Sequence, residues 1–178
     1  LQLSENMSSS EDLEGVVNGA EYILVATPSS IFNKIIPRLE PHVDSSAFVI
    51  SCTKGIQPDP FSTMTEIILK HLGHVIGDKV GALSGPNLAK EIADQKIAGT
   101  VIASPNKILS SEIKTILSSN TFKVFSSVDT QGVELAGALK NIYAICCGIA
   151  HAKNVGENAL GFMVTRSMAE MSRFAVAK

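Results

Sequence analysis

The sequence predicts an α/β fold with a largely parallel sheet, followed by the start of an all-α region. Two observations carry that prediction. Up to Asp129, short apolar runs bounded by turn residues alternate with stretches whose apolar residues recur at helical spacing. From Val133 to Ala152 the punctuation stops, and one long, nearly all-apolar segment takes its place.

The elements follow in order. Ser10-Glu11-Asp12-Leu13 has the form of a helix start, with Ser to cap free amides and acids at the positive end. Glu21–Thr27 reads as a strand buried on both faces, stopped by Pro28-Ser29-Ser30. Ile31, Ile35, Ile36 and Leu39 give a helix. Ala47–Ser51 is a second strand, ending at Thr53-Lys54-Gly55. Met64, Ile67, Ile68 and Leu72 mark another helix, closed by Gly73. Val80–Leu83, Thr100–Ala103 and Phe122–Phe125 read as strands, with a short helix over Leu88–Ala93 and a longer one over Ile108–Leu117. The long segment is a helix apolar on nearly all sides, hence a buried one; Gly132, Ala136, Gly137 and Ala138 let another backbone approach its first turns. Asn154–Glu157 makes a turn, and Asn158 caps a last helix. The division falls near Val128, giving a sheet domain over 1–128 and a helical domain over 129–178, with no low-complexity linker and no internal repeat.

Composition narrows the function. A net charge of −2 without a basic stripe, and 5% aromatic residues without Trp, argue against nucleic acid as a partner. The cysteine count, 3, is odd and has no framework spacing, so buried structural thiols and a reducing, cytoplasmic setting are expected. Ile142–Ala150, the longest apolar stretch, is too short to cross a bilayer, and no basic-then-apolar leader is visible. Because the chain starts at Leu1 without a Met, a fragment is the expectation.

Three polar clusters follow three of the strands: Thr27-Pro28-Ser29-Ser30, Thr53-Lys54-Gly55 and Ser84-Gly85-Pro86-Asn87. Open parallel sheets bind ligands beyond the carboxyl ends of their strands, so these clusters could line one crevice. Lys54 would bring a cation, Gly85 would let backbone approach a ligand, and the helix after Pro86 would aim free N–H groups at an anion. They also fit ordinary βα turns. Lys140 is the sharper signal. A lysine in an apolar helix must snorkel, pair, or accept a depressed pKa, and the last suits a proton-transfer group near neutral pH; a lysine turned outward is the alternative. Arg166 poses the same question, as an anion-binding fork or a solvated side chain. Asn141 points roughly 100° away from Lys140 around the helix. The four histidines, His42, His71, His74 and His151, lack metal-ligand spacing, so no metal is expected and all four read as solvent-facing or capping.

Several stretches, taken in order, resemble the motifs of NAD(P)-dependent glycerol-3-phosphate dehydrogenase. They are Val25-Ala26-Thr27-Pro28-Ser29, Lys54-Gly55-Ile56, Ser84-Gly85-Pro86-Asn87-Leu88-Ala89-Lys90-Glu91 and Gly132 through Asn141, continued by Gly156-Glu157-Asn158-Ala159, Thr165-Arg166 and Glu170-Met171. The resemblance implies a Rossmann-type domain and an enzyme that moves hydride between NAD or NADP and the dihydroxyacetone phosphate/sn-glycerol 3-phosphate pair, for glycerophospholipid synthesis. It implies that Lys140 transfers the proton at the substrate oxygen and that Lys54 contacts substrate and lies near cofactor. Gly85 and Asn87 would line the substrate pocket, while Phe32 and Ala89 would border the cofactor. A homodimer is compatible with it.

Two departures from the family pattern stand out. The Gly-x-Gly-x-x-Gly turn that cradles the pyrophosphate is absent, and no segment matches the Asp and Arg-Asn pair that bind the glycerol hydroxyls and phosphate. The expectation is therefore a partial Rossmann-type domain with the start of a helical catalytic domain, inactive by itself. Asn87 stands where Ser or Thr is more usual. The alternatives are a hydroxyacid or phosphogluconate-type dehydrogenase of the same architecture, and a non-catalytic binding module.

Overall fold

Apolar strands and amphipathic helices alternate in the computed structural model, which describes residues 5–177. The elements are α1 (Leu13–Val17), β1 (Tyr22–Val25), α2 (Ser29–Leu39), β2 (Phe48–Ser51), β3 (Gln57–Pro58), β4 (Phe61–Ser62), α3 (Met64–Ile76), β5 (Val80–Ser84), α4 (Ala89–Ala93), β6 (Ala98–Ala103), α5 (Lys107–Leu117), β7 (Phe122–Ser127), α6 (Thr130–Ala152) and α7 (Glu157–Val176). Five strands form a Rossmann-like sheet in the order β1-β2-β5-β6-β7.

Helices cover both faces of the central strands, since successive residues of a strand point to opposite sides. At the margins Leu24 of β1 is 47% and Phe125 of β7 63% exposed, so β1, an edge strand, is not buried on both faces as its apolar run predicted. On β2, Val49 joins a core with Phe32, Ile36, Met64 and Ile68 from α2 and α3. Its neighbour Ile50 joins a second core with Ile102, Leu109, Ile113 and Val124, under α5. Tyr22 stacks on Phe48 at 5.6 Å and donates its hydroxyl to Glu112 Oε2 at 2.7 Å, tying β1 to α5.

β1, β2 and β5 pair in parallel, as do β6 and β7, but β5 and β6 are antiparallel. The parallel expectation fails at that one junction for a physical reason. A parallel crossover needs a substantial helix over the sheet face, and the β5–β6 connection carries only the five-residue α4. β6 and β7 therefore end at the edge opposite the ends of β1, β2 and β5.

The β3–β4 hairpin, too short for any periodicity, was not anticipated. α3 runs through Gly73 and stops at Gly77, whose φ of 62° is the left-handed turn that a glycine allows. Asn158 lies inside α7; Gly156, at φ 89°, precedes the helix. Ser10 accepts the Asp12 N–H at 3.0 Å, but Asp12 occupies the cap position of α1 and makes no side-chain cap. α6 starts three residues earlier than expected, where Asp129 accepts the Gly132 N–H at 2.7 Å.

The larger correction concerns α6. Its first turns pack on β5, β6 and α7, yet Ile142, Ile145 and Ile149 are 55%, 64% and 54% exposed. The described residues offer the outer half only α7 as a neighbour. For the same reason Cys146 is exposed rather than buried, while Cys147 and Cys52 are half-buried. Burial pushes the Cys52 thiol up to about 11. Among the described residues α6 is also the one helix long and apolar enough to cross a membrane, by length and composition alone.

Truncating a core residue between sheet and helix should be costly where a surface change is not. Ile68→Ala is expected to lower unfolding free energy by about 2–5 kcal/mol, and Ile97→Ala, at a site 86% exposed, by less than about 0.5 kcal/mol. Urea denaturation of the full-length protein measures both.

Candidate active site

Parallel pairing of β1, β2 and β5 brings their carboxyl ends to one edge, and the three polar clusters meet there. Thr53 Oγ1 donates to the Thr27 carbonyl at 2.7 Å, which stitches the turn after β2 to the turn after β1. A Cβ at Gly55 would lie 2.6 Å from Ser29 Cβ, so that approach requires glycine. Lys54 crosses to the third cluster, where its Nζ donates to the Gly85 carbonyl at 2.8 Å. Gly85 is itself pressed against β6; a Cβ there would sit 2.6 Å from the Gly99 carbonyl oxygen and 2.8 Å from Thr100 Cα. The glycine is thus needed for strand packing as well as for any approach of a ligand.

α6 closes the other side. A Cβ at Gly137 would come within 2.6 Å of Ser84 Oγ, so the small-residue face lies directly on the end of β5. Between them is a cleft of about 220 Å³, lined by Ser84, Gly85 and Pro86 from one side and by Val133, Gly137 and Lys140 from the other. Lys140 is half-buried and neighbours Lys54. Burial lowers the Lys54 amine below its ordinary range, and the positive charge and hydrogen bond of Lys140 lower it further. Of the alternatives that the sequence left for Lys140, the structure shows a half-buried side chain with a second amine, that of Lys54, beside it.

Two buried side-chain oxygens have no hydrogen-bond partner among the described residues, Thr27 Oγ1 and Asn87 Oδ1. Both belong to this edge. Asn87 Nδ2 donates to Thr100 Oγ1 at 3.1 Å, leaving its carbonyl end open. Orphaned polar atoms of this kind are rare away from binding sites. They suit a nicotinamide cofactor and a hydroxylated substrate, and α2 begins beside Thr27 with no side chain capping its amino end.

The remaining expected residues fall less centrally. Ala89 opens α4 and is exposed. Phe32 is fully buried in the core, so it backs the β1 turn from behind and presents no open surface. α4 is too short to build an appreciable dipole for an anion. Arg166 and Asn141 are exposed. His71 and His74 tie α3 to α2 through Asn33 at 3.2 Å and Glu40 at 3.0 Å, and no metal-binding group occurs among the described residues. One residue at this edge escaped the sequence reading. Glu134, 5% exposed, accepts the Thr65 N–H at 3.0 Å and the Thr65 hydroxyl. The signal was the same as for Lys140, a charge inside an apolar helix.

Family models describing the N-terminus and the C-terminus of NAD-dependent glycerol-3-phosphate dehydrogenase match residues 1–110 and 129–178. A glycerol-3-phosphate dehydrogenase [NAD(P)+] of Alcanivorax borkumensis is 46% identical over 175 residues, covering 98% of this chain and 50% of the relative. A crystal structure of glycerol-3-phosphate dehydrogenase from Coxiella burnetii matches at a TM-score of 0.86 with 31% identity, covering 98% of this chain and 52% of that one. The Saccharomyces cerevisiae enzyme matches at 0.84 with 29% identity, over 97% and 51%. The chain belongs to the NAD-dependent glycerol-3-phosphate dehydrogenase family. It spans about half the length of the curated relatives it matches.

The lysine pair gives a direct electrostatic prediction. Lys140→Met removes two of the three causes that lower Lys54, the charge and the hydrogen bond, and leaves burial in place. Lys54 is therefore expected to titrate higher than in the parent, yet still below an ordinary lysine. Carbon NMR of reductively methylated protein across alkaline pH reads the shift.

Proposed function

We propose, from membership of that family and from two neighbouring amines, one lining the cleft and the other anchored on its Gly85, that the protein interconverts dihydroxyacetone phosphate and sn-glycerol 3-phosphate with NAD or NADP. The observation that carries this reading is the placement of Lys54 and Lys140 at the carboxyl edge of β1, β2 and β5, beside two unsatisfied polar atoms. In the reducing direction dihydroxyacetone phosphate, NAD(P)H and a proton give sn-glycerol 3-phosphate and NAD(P)+.

Each residue has a role within that reaction. Lys140 donates a proton to the carbonyl oxygen as charge develops on it, and in the reverse direction its neutral amine takes the alcohol proton. Lys54, anchored on the Gly85 carbonyl, holds a second positive charge toward the phosphorylated substrate and its developing oxyanion. The buried, unpaired Asn87 Oδ1 is an acceptor for a substrate hydroxyl that enters against it, which a Ser or Thr hydroxyl in its place would be with less reach. A nicotinamide held at this edge would supply or accept the hydride. The Thr27–Ser30 turn, Lys54 and Ala89 would hold it, with Phe32 as the wall behind the turn. Val133 and Gly137 keep the cleft apolar and exclude water from one side.

The same reading assigns residues 1–128 to the cofactor domain and 129–178 to the start of the catalytic domain, and gives the enzyme a role in glycerophospholipid synthesis in the cytoplasm. α6 is then a bundle helix. Its buried, hydrogen-bonded Glu134 and mid-helix Lys140 suit a catalytic core better than a lipid environment. The exposed apolar surface of its outer half suits cover by further helices or by a second copy.

In the full-length enzyme Lys140→Ala is expected to lower kcat for dihydroxyacetone phosphate by on the order of 10²–10⁴-fold, with a smaller change in KM. Loss of NADH absorbance measures it. Parent-like turnover by the variant, or a parent that reduces β-hydroxyacid partners and ignores dihydroxyacetone phosphate, would sink the reading.

A further inference from the structure

We infer that Glu134 is a positioning residue, which clamps α6 onto the amino end of α3 and thereby fixes where Lys140 stands against Lys54. The inference rests on the reading of that lysine pair as the reacting site. Its geometry stands independently of the reaction.

The clamp starts from a helix end. The first amides of α3 have no partner within the helix and must find one elsewhere. Thr63 caps the helix, accepting the Glu66 N–H at 3.4 Å, and Glu66 returns to the Thr63 N–H at 2.7 Å. That capping box leaves the Thr65 N–H, which goes across the fold to Glu134 Oε1 at 3.0 Å. The Thr65 hydroxyl goes to Oε2 of the same carboxylate. Thr65 has a single hydroxyl proton, so at its 3.2 Å contact with Thr63 the Thr63 hydroxyl is the donor. A run of donors, Thr63 to Thr65 to Glu134, thus ends on one buried carboxylate. Burial raises the Glu134 carboxyl, and the hydrogen bonds it accepts, those from Thr65 foremost, counter that rise.

What the clamp joins gives it consequence. Upstream of α3 the chain runs without a break through the β3–β4 hairpin to Gly55 and Lys54. Downstream of Glu134 on α6, Gly137 rests on Ser84, and Lys140 follows on the stripe that lines the cleft. Glu134 therefore holds together the two segments that carry the two amines. Past Lys140 the helix makes little buried contact, so its outer half does nothing to restore the position once the amino end is freed.

Three replacements in the full-length enzyme separate positioning from plain stability. Glu134→Gln can present its carbonyl oxygen to the Thr65 N–H and its amide N–H to the Thr65 hydroxyl, with the hydroxyl run reversed. It is expected to keep kcat within about threefold and to leave Lys54 titration unchanged. Glu134→Asp falls one methylene short and Glu134→Ala has no acceptor. Both are expected to lower kcat by on the order of 10–100-fold with little change in KM, and to let Lys54 titrate higher as Lys140 moves off. Carbon NMR of methylated lysines reads the titration, and steady-state kinetics with dihydroxyacetone phosphate reads the rate. Glu134→Ala that melts earlier but keeps parent kcat and parent Lys54 titration overturns the inference, as does Glu134→Gln no better than Glu134→Ala. Should Glu134→Ala fail to fold, Thr65→Val, which removes only the hydroxyl half of the clamp, is expected to move both readouts in the same direction by less; no movement overturns it. A parent enzyme without dihydroxyacetone phosphate turnover would fail the functional reading alone, since the Lys54 titration still decides the clamp.

Discussion

Burying the carboxylate of Glu134 is tolerated because α3 offers it two donors that would otherwise be stranded. A carboxylate moved into a protein interior is stable only when it is hydrogen-bonded, and an amide left unpaired there costs about 1–3 kcal/mol. The two liabilities cancel where α6 meets the amino end of α3. The sheet and the first turns of α6 are consequently not two bodies in loose apposition. The helix that brings Lys140 is held by the element that follows the loop of Lys54, and the cleft between them inherits its width from that contact and from the bare face of Gly137 against Ser84.

The reversal between β5 and β6 serves the same end. A sheet parallel throughout would carry the chain after Ser84 away over one face. The short return through α4 instead keeps Gly85 and Asn87 at the edge, pressed against Gly99 and Thr100. That packing is why Gly85 can offer its carbonyl to Lys54 and why Asn87 has only one end of its amide occupied. The strand that breaks the parallel pattern is what gives the site its floor.

Most of the fold was legible because compact apolar runs leave a strong mark. Runs such as 21–27 and 47–51 read as strands in sequence, and polar turns follow both. What escaped was of two kinds. Short-range features with no period, such as the hairpin at Gln57–Ser62 or the stop at Gly77 rather than Gly73, depend on individual backbone angles and leave little pattern. Long-range pairings leave none in any one segment. Thr65 and Glu134 are 69 positions apart, and nothing near either residue names the other. The exposure of Ile142, Ile145 and Ile149 belongs to the second kind. An apolar helix announces that it needs cover, and the described residues supply it on one side only.

The lysine pair shows how the edge is tuned. Two amines of like charge beside one cleft repel, and the repulsion together with partial burial lowers Lys54. In the free site the pair is thus held short of the charge that two ordinary lysines would carry at alkaline pH. An anionic substrate reverses that pressure, because a phosphate or a developing oxyanion favours the charged form of any amine near it. Binding and protonation are therefore linked in sign. As pH falls through the lowered Lys54 value the site gains charge and attracts an anion more strongly, and once the anion is seated the pair holds its protons more firmly. The geometry that makes this work is the spacing of two side chains on separate elements, and that spacing is what the buried clamp at the start of α3 keeps.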